Sequence, residues 1–208
     1  MSYAKKSNGT AAVCRAAAEQ RRCEQPALYM KEAAYNMSLT VYSFEPVVDE
    51  RSQVLVLGSM PGVPSLELNE YYGNPRNYLW RVLYGLFGQE VDEEYEKRLE
   101  FALSHRVAMW DVLKSCKREG SLDSNIRDEV VNDIPGLLTR YPNIRCLALN
   151  GTKAHDTFMR HFGKTDAASR VVCLKLPSTS PVPTRTMKTL DDRLAAWRAI
   201  EPYLSSAD

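Results

Sequence analysis

The sequence predicts an α/β protein of three layers, in which helices cover both faces of a central, mainly parallel four-stranded sheet. Short apolar runs with the length of strands alternate along the chain with segments of helical spacing. The strand predicted at residues 53–57 is a run of apolar residues stopped by Gly58. A continuous run of this kind is typical of a strand that is buried on both faces of a parallel sheet.

The remaining elements follow from the same patterns. Residues 77–87 place five large apolar side chains on one helical face, and Gly88 stops the helix. Further along we expect, in order, a helix over the acidic stretch 90–100, a strand at 107–110, a helix at 125–140, a strand at 144–149, a helix at 153–162, a strand at 171–176 and a final helix over 187–204.

The bulk properties indicate one ordinary globular domain. The chain has 208 residues, 44% of them apolar, and a formal net charge of +1. This near-balance excludes a generically basic nucleic-acid coat, so any contact with DNA must rest on a local patch. Residues 1–40 lack a strong period and are interpreted as a mobile N-terminal extension. Residues 41–208 are predicted to form the folded domain.

The five cysteines favour a reducing compartment. Their number is odd and no two are spaced as C-x-x-C, which argues against zinc and iron–sulfur sites. No stretch is long and apolar enough to span a membrane, and the N-terminus lacks the apolar segment of a signal peptide. We therefore expect a cytoplasmic monomer that uses no metal and no cofactor.

Two loops at strand ends are the candidate site. The first is Gly58-Ser-Met-Pro-Gly62 and the second is Pro177-Ser-Thr-Ser-Pro181, while two other predicted strands end at Asp111 and Asn150. In open parallel sheets, ligands bind beyond the carboxyl ends of the strands. The loops hold no histidine, cysteine pair or carboxylate dyad. Their amides, hydroxyls and backbone N–H groups suit holding and polarising a substrate.

Four motifs in the right order resemble the uracil-DNA glycosylase superfamily, and most of all its hypoxanthine-DNA glycosylase branch. The resemblance covers about residues 44–204. The motifs are Gly58-Ser-Met-Pro-Gly62 with Tyr71-Tyr-Gly-Asn-Pro-Arg-Asn77-Tyr-Leu-Trp80, then Asp111-Val-Leu-Lys-Ser-Cys-Lys-Arg-Glu-Gly-Ser121-Leu-Asp-Ser-Asn125, Leu149-Asn-Gly151-Thr-Lys-Ala and Leu176-Pro-Ser-Thr-Ser-Pro181.

The resemblance implies an enzyme that hydrolyses the N-glycosidic bond of a flipped, deaminated base in DNA during base-excision repair. Hypoxanthine is the expected base and uracil a second one. Most of the superfamily has Asn or Asp in the first loop and His or Asn in the second, where this chain has Met60 and Ser178. In the hypoxanthine branch the essential amide moves to the next helix start, which is Asn77 here. A plain helix cap at Asn77 is the alternative.

The other expected roles divide between the base and the DNA backbone. Tyr72 stacks on the base or simply packs the loop, Asn150 reads a base edge or caps a helix, and Asp111 is a pocket acceptor or a cap. Trp80 is expected in the core and the three histidines on the surface. The base-binding set is Gly58, Ser59, Met60, Tyr72, Asp111 and Asn150. The DNA-binding set is Pro61, Gly62, Arg76, Lys175, Ser178, Thr179, Ser180 and Arg185.

Neither loop contains a lysine, so we expect a monofunctional enzyme without a Schiff-base intermediate. Two alternatives remain open on the sequence. One is a mismatch-directed uracil or thymine glycosylase, although such an enzyme normally keeps Asn or Asp where Met60 stands. The other is a protein of the same fold that binds damaged DNA without catalysing any reaction.

Overall fold

The computed structural model describes residues 40–182 and 187–204. Its strands are β1 (Thr40–Tyr42), β2 (Val54–Gly58), β3 (Val107–Asp111), β4 (Leu113–Lys117), β5 (Arg127–Val131), β6 (Cys146–Asn150) and β7 (Val172–Leu176). Its α-helices are α1 (Val63–Leu68), α2 (Leu79–Leu86), α3 (Tyr95–Ser104), α4 (Ile134–Arg140), α5 (Thr152–Phe162), α6 (Asp166–Ser169) and α7 (Leu190–Trp197). Short 3-10 helices lie at Asp123–Asn125 and Arg198–Tyr203.

The central sheet has four parallel strands in the order β3-β2-β6-β7. Strand β2 lies inside the sheet and all five of its residues are buried, as its apolar sequence predicts. Gly58 lies opposite Asp111, and Asn150 opposite Leu176, so the carboxyl ends of the strands meet at one edge. The predicted three-layer α/β/α architecture is confirmed.

Each face of the sheet carries its own apolar core because successive side chains of a strand point to opposite faces. Val54 and Val56 pack with residues of α2, α3 and α7, including Trp80 and Trp197. Leu55 and Leu57 pack instead with residues of α4, α5 and α6. The predicted core position of Trp80 is confirmed, since only 4% of its surface is exposed.

A second sheet of three strands, in the order β1-β4-β5, is absent from the sequence prediction. The predicted helix at 125–140 is wrong in its first half, where β5 pairs antiparallel with β4. The helix begins only at Ile134, where Asp133 caps it by accepting from Gly136 N at 2.9 Å. Pro135 lies in the first turn and lacks the N–H that a longer helix would require.

The other predicted elements differ from the structure only at their ends. The helix expected from residue 77 begins at Leu79, and the final helix gives way to a 3-10 helix at Arg198. Nearly all of the predicted N-terminal extension lies outside the described residues, so the domain boundary stays a prediction. Within the described part of the chain, no helix is long and apolar enough to cross a membrane.

Candidate active site

A cavity of about 360 Å³ opens at the carboxyl edge of the central sheet, between the two loops that the sequence singled out. It is lined by Asn77 and by the whole predicted base-binding set. Five members of the predicted DNA-binding set also line it: Pro61, Gly62, Ser178, Thr179 and Ser180. Arg76 and Lys175 lie outside its walls, and Arg185 lies outside the described residues.

The amide of Asn77 is hydrogen-bonded at its oxygen and has no described acceptor at its nitrogen. Its Oδ1 accepts a hydrogen bond at 2.9 Å from Leu79 N, the first residue of α2, and so satisfies an N–H that has no partner within the helix; the N-cap residue itself is Tyr78. Because a backbone N–H needs an oxygen acceptor, this bond fixes which end of the amide carries the NH₂ group. No described residue accepts from that Nδ2, and the side chain lines the cavity. The amide therefore offers its donors to a ligand.

Tyr72 is held at the cavity in an unusual backbone conformation. Its φ of 54° lies in the left-handed region, which costs free energy for a residue with a side chain. The preceding residue is fixed on both sides: Tyr71 N donates to Tyr95 Oη at 2.8 Å and Tyr71 O accepts from Trp80 Nε1 at 3.1 Å. Burial and the nearby Asp111 raise the pKa of the Tyr72 phenol, which keeps it neutral.

Asn150 ties the second loop to Tyr72, a role that differs from the expected reading of a base edge. Its Nδ2 donates to Thr179 Oγ1 at 2.9 Å and to Tyr72 Oη at 3.2 Å. Its Oδ1 accepts from Thr179 N at 2.9 Å. Both donors and one acceptor lone pair are thus used within the protein. Thr179 is fully buried and its hydroxyl accepts from Asn150, whereas the sequence prediction placed it among the contacts of the DNA backbone.

Two residues of α7 that the sequence analysis missed hold the second loop. Arg193 donates to Ser178 O and Ser180 O, each at 3.3 Å, and its guanidinium lies 4.1 Å from the centre of the Tyr78 ring. Trp197 Nε1 donates to Pro177 O at 3.1 Å. Their spacing in the sequence could have indicated this role. Arg193 falls three residues after Leu190 and four before Trp197, so it lies on the apolar face of the helix.

The connection between β4 and β5 supports the first loop and was also missed. Ser59 Oγ donates to Asp123 Oδ1 at 2.7 Å, and Val63 N donates to Ser121 Oγ at 2.9 Å. The buried Arg118 donates to Pro61 O. Met60 packs with a small apolar cluster beneath this connection, Leu113, Cys116 and Ile126. The first loop is therefore fixed by contacts more than 50 residues away in the chain.

Asp111 belongs to the cavity wall, where its carboxyl group caps nothing in the described structure. Only 4% of the residue is exposed, and its Oδ2 is buried without a hydrogen-bond partner among the described residues. A Cβ at Gly58 would lie 2.4 Å from Asp111 Oδ1 and 3.1 Å from Tyr72 Oη, so only glycine fits there. Burial raises the pKa of the Asp111 carboxyl to about 7, although the charge of Arg118 acts against this rise.

The two described basic residues of the predicted DNA-binding set differ in whether an acidic side chain pairs with them. Arg76 is exposed, whereas Lys175 Nζ pairs with Asp156 Oδ1 at 3.5 Å. In the part of the chain that the structure describes, no three His, Cys, Asp or Glu side chains lie close enough together to hold a metal ion. The site offers an amide, a phenol, a buried carboxyl group and hydroxyls.

Comparisons with known proteins agree with this architecture. Residues 45–201 match the family described as the uracil DNA glycosylase superfamily. A protein of Methanosarcina acetivorans named hypoxanthine DNA glycosylase is 37% identical over 160 residues, which cover 76% of this chain and 95% of that protein. A protein of the same name from Methanosarcina barkeri is 37% identical over 123 residues, 58% of this chain and 78% of that protein.

Among solved structures, a solution NMR structure from Methanosarcina acetivorans aligns with a TM-score of 0.66 and 36% identity. The protein in that structure is described as a candidate uracil DNA glycosylase. The alignment covers 79% of this chain and 98% of the other chain. The family match spans most of the chain and includes both cavity loops. The chain belongs to the uracil DNA glycosylase superfamily.

Proposed function

We propose that this protein is a monofunctional DNA glycosylase that removes hypoxanthine, and uracil as a second substrate, from deaminated DNA in base-excision repair. The observation that carries the proposal is the cavity, which brings the free Nδ2 of Asn77 and the ring of Tyr72 together at the sheet edge. Two relatives named hypoxanthine DNA glycosylase support hypoxanthine over the mismatch-directed and non-catalytic alternatives.

The substrate base must leave the duplex before it can enter such a cavity. Enzymes that act on bases inside DNA flip the nucleotide out and hold the base between aromatic or apolar side chains. Tyr72 supplies an aromatic ring, and its hydroxyl is fixed by Asn150, so the ring is positioned before the base arrives. Ser178 and Ser180 lie in the loop that would face the adjoining phosphates.

The bond then breaks with little need for a strong nucleophile. The electron pair of the N-glycosidic bond goes to the base, the sugar develops oxocarbenium character, and water adds to its C1′. Donors aimed at the departing base stabilise the negative charge that develops on it. Asn77 suits this role because Oδ1 is engaged with Leu79 N while Nδ2 remains a donor.

The monofunctional course is supported by the composition of the cavity wall. The described residues that line it include no lysine, so none there can form a Schiff base with the sugar.

We extend the proposal to a cytoplasmic monomer. Three described cysteines are free thiols, which is typical of a reducing compartment.

One assay tests the proposal. The protein is incubated with labelled oligonucleotides that carry inosine, uracil, xanthine or no lesion, and abasic sites are then cleaved with alkali. Strand breaks at inosine that appear only after alkali are expected. Cleavage confined to G·U and G·T mismatches would support the mismatch alternative. Binding without any release of base would support the non-catalytic one.

A further inference from the structure

Asp111 has an unused hydrogen-bonding atom in the cavity wall. The residue is 4% exposed, and its Oδ2 is buried without a partner among the described residues. Buried polar atoms are nearly always hydrogen-bonded, so an exception in a cavity wall is a candidate contact for a ligand. The carboxyl group and the Tyr72 hydroxyl approach the same point beside Gly58. The carboxyl group therefore lies beside the hydroxyl end of Tyr72, the residue on which the proposed function stacks the base.

We propose that Asp111 acts as a neutral carboxylic acid that pairs with the lactam edge of the flipped base. Its carbonyl oxygen accepts from the ring N–H, and its hydroxyl donates to the neighbouring C=O of the base. This inference rests on the proposed function. Hypoxanthine, xanthine and uracil all carry an N–H beside a C=O, the arrangement that deamination creates from an amino-bearing ring. One acid would thus serve this whole class of bases.

The surroundings of Asp111 favour its neutral form. Burial, with a contribution from Asp123, raises the pKa of this carboxyl to about 7, and the opposing charge belongs to Arg118. No hydrogen bond joins Arg118 to Asp111; its Nη2 donates to Pro61 O instead. Tyr71 and Tyr72 also face Asp111, and the raised pKa values of both phenols keep them uncharged.

The proposed reaction also favours the neutral form of Asp111. The breaking bond leaves its electron pair on the base, and the resulting negative charge spreads to the carbonyl oxygen that Asp111 would hold. An ionised Asp111 would repel that charge, whereas the neutral acid donates a hydrogen bond to it. Water adds to the sugar carbon and its proton passes to the base. Asp111 therefore ends with the proton with which it began.

The test uses the full chain, with wild type, Asp111→Asn, Asp111→Ala and the control Glu94→Gln. Glu94 pairs with Lys97 at the exposed surface, away from the cavity walls. Single-turnover excision of inosine is measured from pH 5.5 to 9. In parallel, the ¹³C shift of the Asp111 carboxyl carbon is followed with pH in the free protein and assigned by its absence from Asp111→Asn.

Wild type and Glu94→Gln should lose rate as the pH rises through about 7, approaching tenfold per unit, and the carboxyl shift should titrate in the same range. Asp111→Asn, which keeps one donor and one acceptor, should stay within about tenfold of the low-pH wild-type rate without that loss. Asp111→Ala should be slower by about 10²–10³-fold.

Three results would overturn the inference alone: an active wild type whose rate rises through pH 7, an inactive but folded Asp111→Asn, or a carboxyl group that titrates near pH 4. The first two would assign Asp111 as a base that needs its charge. A wild-type protein that releases no base at any pH would overturn the proposed function itself. The carboxyl titration reads the protonation of Asp111 in either case.

Discussion

At the scale of single residues, the two ends of the Asn77 amide have different surroundings. Oδ1 closes the first turn of α2, and this fixes the direction of the side chain so that Nδ2 is left for the cavity. The bond to the helix start is therefore compatible with the catalytic role that we propose for Asn77. A cap that also orients a catalytic group is preorganised, because the helix holds the donor before the substrate binds.

Two substitutions at Asn77 separate the roles of the two ends of the amide. Asn77→Ala removes both, and we expect excision to slow by about 10²–10³-fold with a loss of about 1 kcal/mol in the free energy of unfolding. Asn77→Asp keeps an oxygen for Leu79 N but has no N–H to donate. It should unfold like wild type and still be slow in single-turnover assays on inosine DNA. Fast excision by Asn77→Asp would show that the donor is not required.

Two substitutions at Tyr72 separate the role of its ring from the role of its hydroxyl group. Tyr72→Phe loses only the bond from Asn150 and should bind inosine DNA within about tenfold of wild type. Tyr72→Ala loses the ring and should cost about 1–3 kcal/mol of base stacking, measured by titration with inosine duplex. The control is an undamaged duplex of the same sequence. Equal weakening on both duplexes would assign the ring to loop packing and not to stacking.

The residues that the sequence correctly placed at the cavity or in the core lie inside short motifs. Asn77 and Tyr72 fall in one stretch of ten residues that ends at Trp80, and all three are located as expected in relation to cavity and core. The task of Asn150 could not be predicted in this way. Its partners Thr179 and Tyr72 are 29 and 78 residues distant in sequence, and only the folded chain shows that they consume its amide.

At the scale of elements, the parallel strands were predictable because continuous apolar runs are found in few other settings. The β4–β5 pair was not, since β5 is largely exposed and its register with β4 is irregular. Asn132, which follows β5, joins it to the start of β4, because its Nδ2 donates to Asp111 O and Leu113 O. Those bonds join segments about 20 residues apart, which no local pattern reveals.

Helix α7 should control activity through the second loop. Arg193→Met keeps an unbranched apolar side chain but removes the donors to Ser178 O and Ser180 O. Small displacements of positioning groups cost large factors in rate, so we expect kcat/KM for inosine DNA to fall about tenfold or more. The free energy of unfolding should be affected less than the rate. Removing the guanidinium also removes the cost of burying its charge.

The matched control for this helix is Arg198→Met. Arg198 lies five residues further on, is exposed, and pairs with Glu201 at 2.7 Å. It should keep both its rate and its melting temperature. If a folded Arg193→Met excises inosine at the wild-type rate, the loop is held well enough by Asn150 and Trp197 alone, and the role assigned to Arg193 is wrong.

At the scale of the whole molecule, the charge is almost balanced, so binding to DNA must depend on where the charges lie. Acidic side chains are concentrated between residues 90 and 100. Arg76 is exposed next to the cavity-lining Asn77, while Lys175 is partly neutralised by Asp156. A local basic patch of this kind would contact few phosphates, and each contact would be visible in the salt dependence of binding.

The dependence of affinity on salt tests this patch. Binding of abasic-site DNA should weaken as salt rises, because bound phosphates release their counterions. Arg76→Ala should weaken binding to all sequences alike and flatten the log–log slope by about one unit, the amount for one lost phosphate contact. Lys175→Ala should act in the same direction but less, since Asp156 already holds that ammonium group. Lys97→Ala, in the acidic stretch and paired with Glu94, is the control that should leave the slope unchanged. If the slope is unchanged in Arg76→Ala, Arg76 does not contact a phosphate, and the DNA backbone is bound elsewhere on the protein.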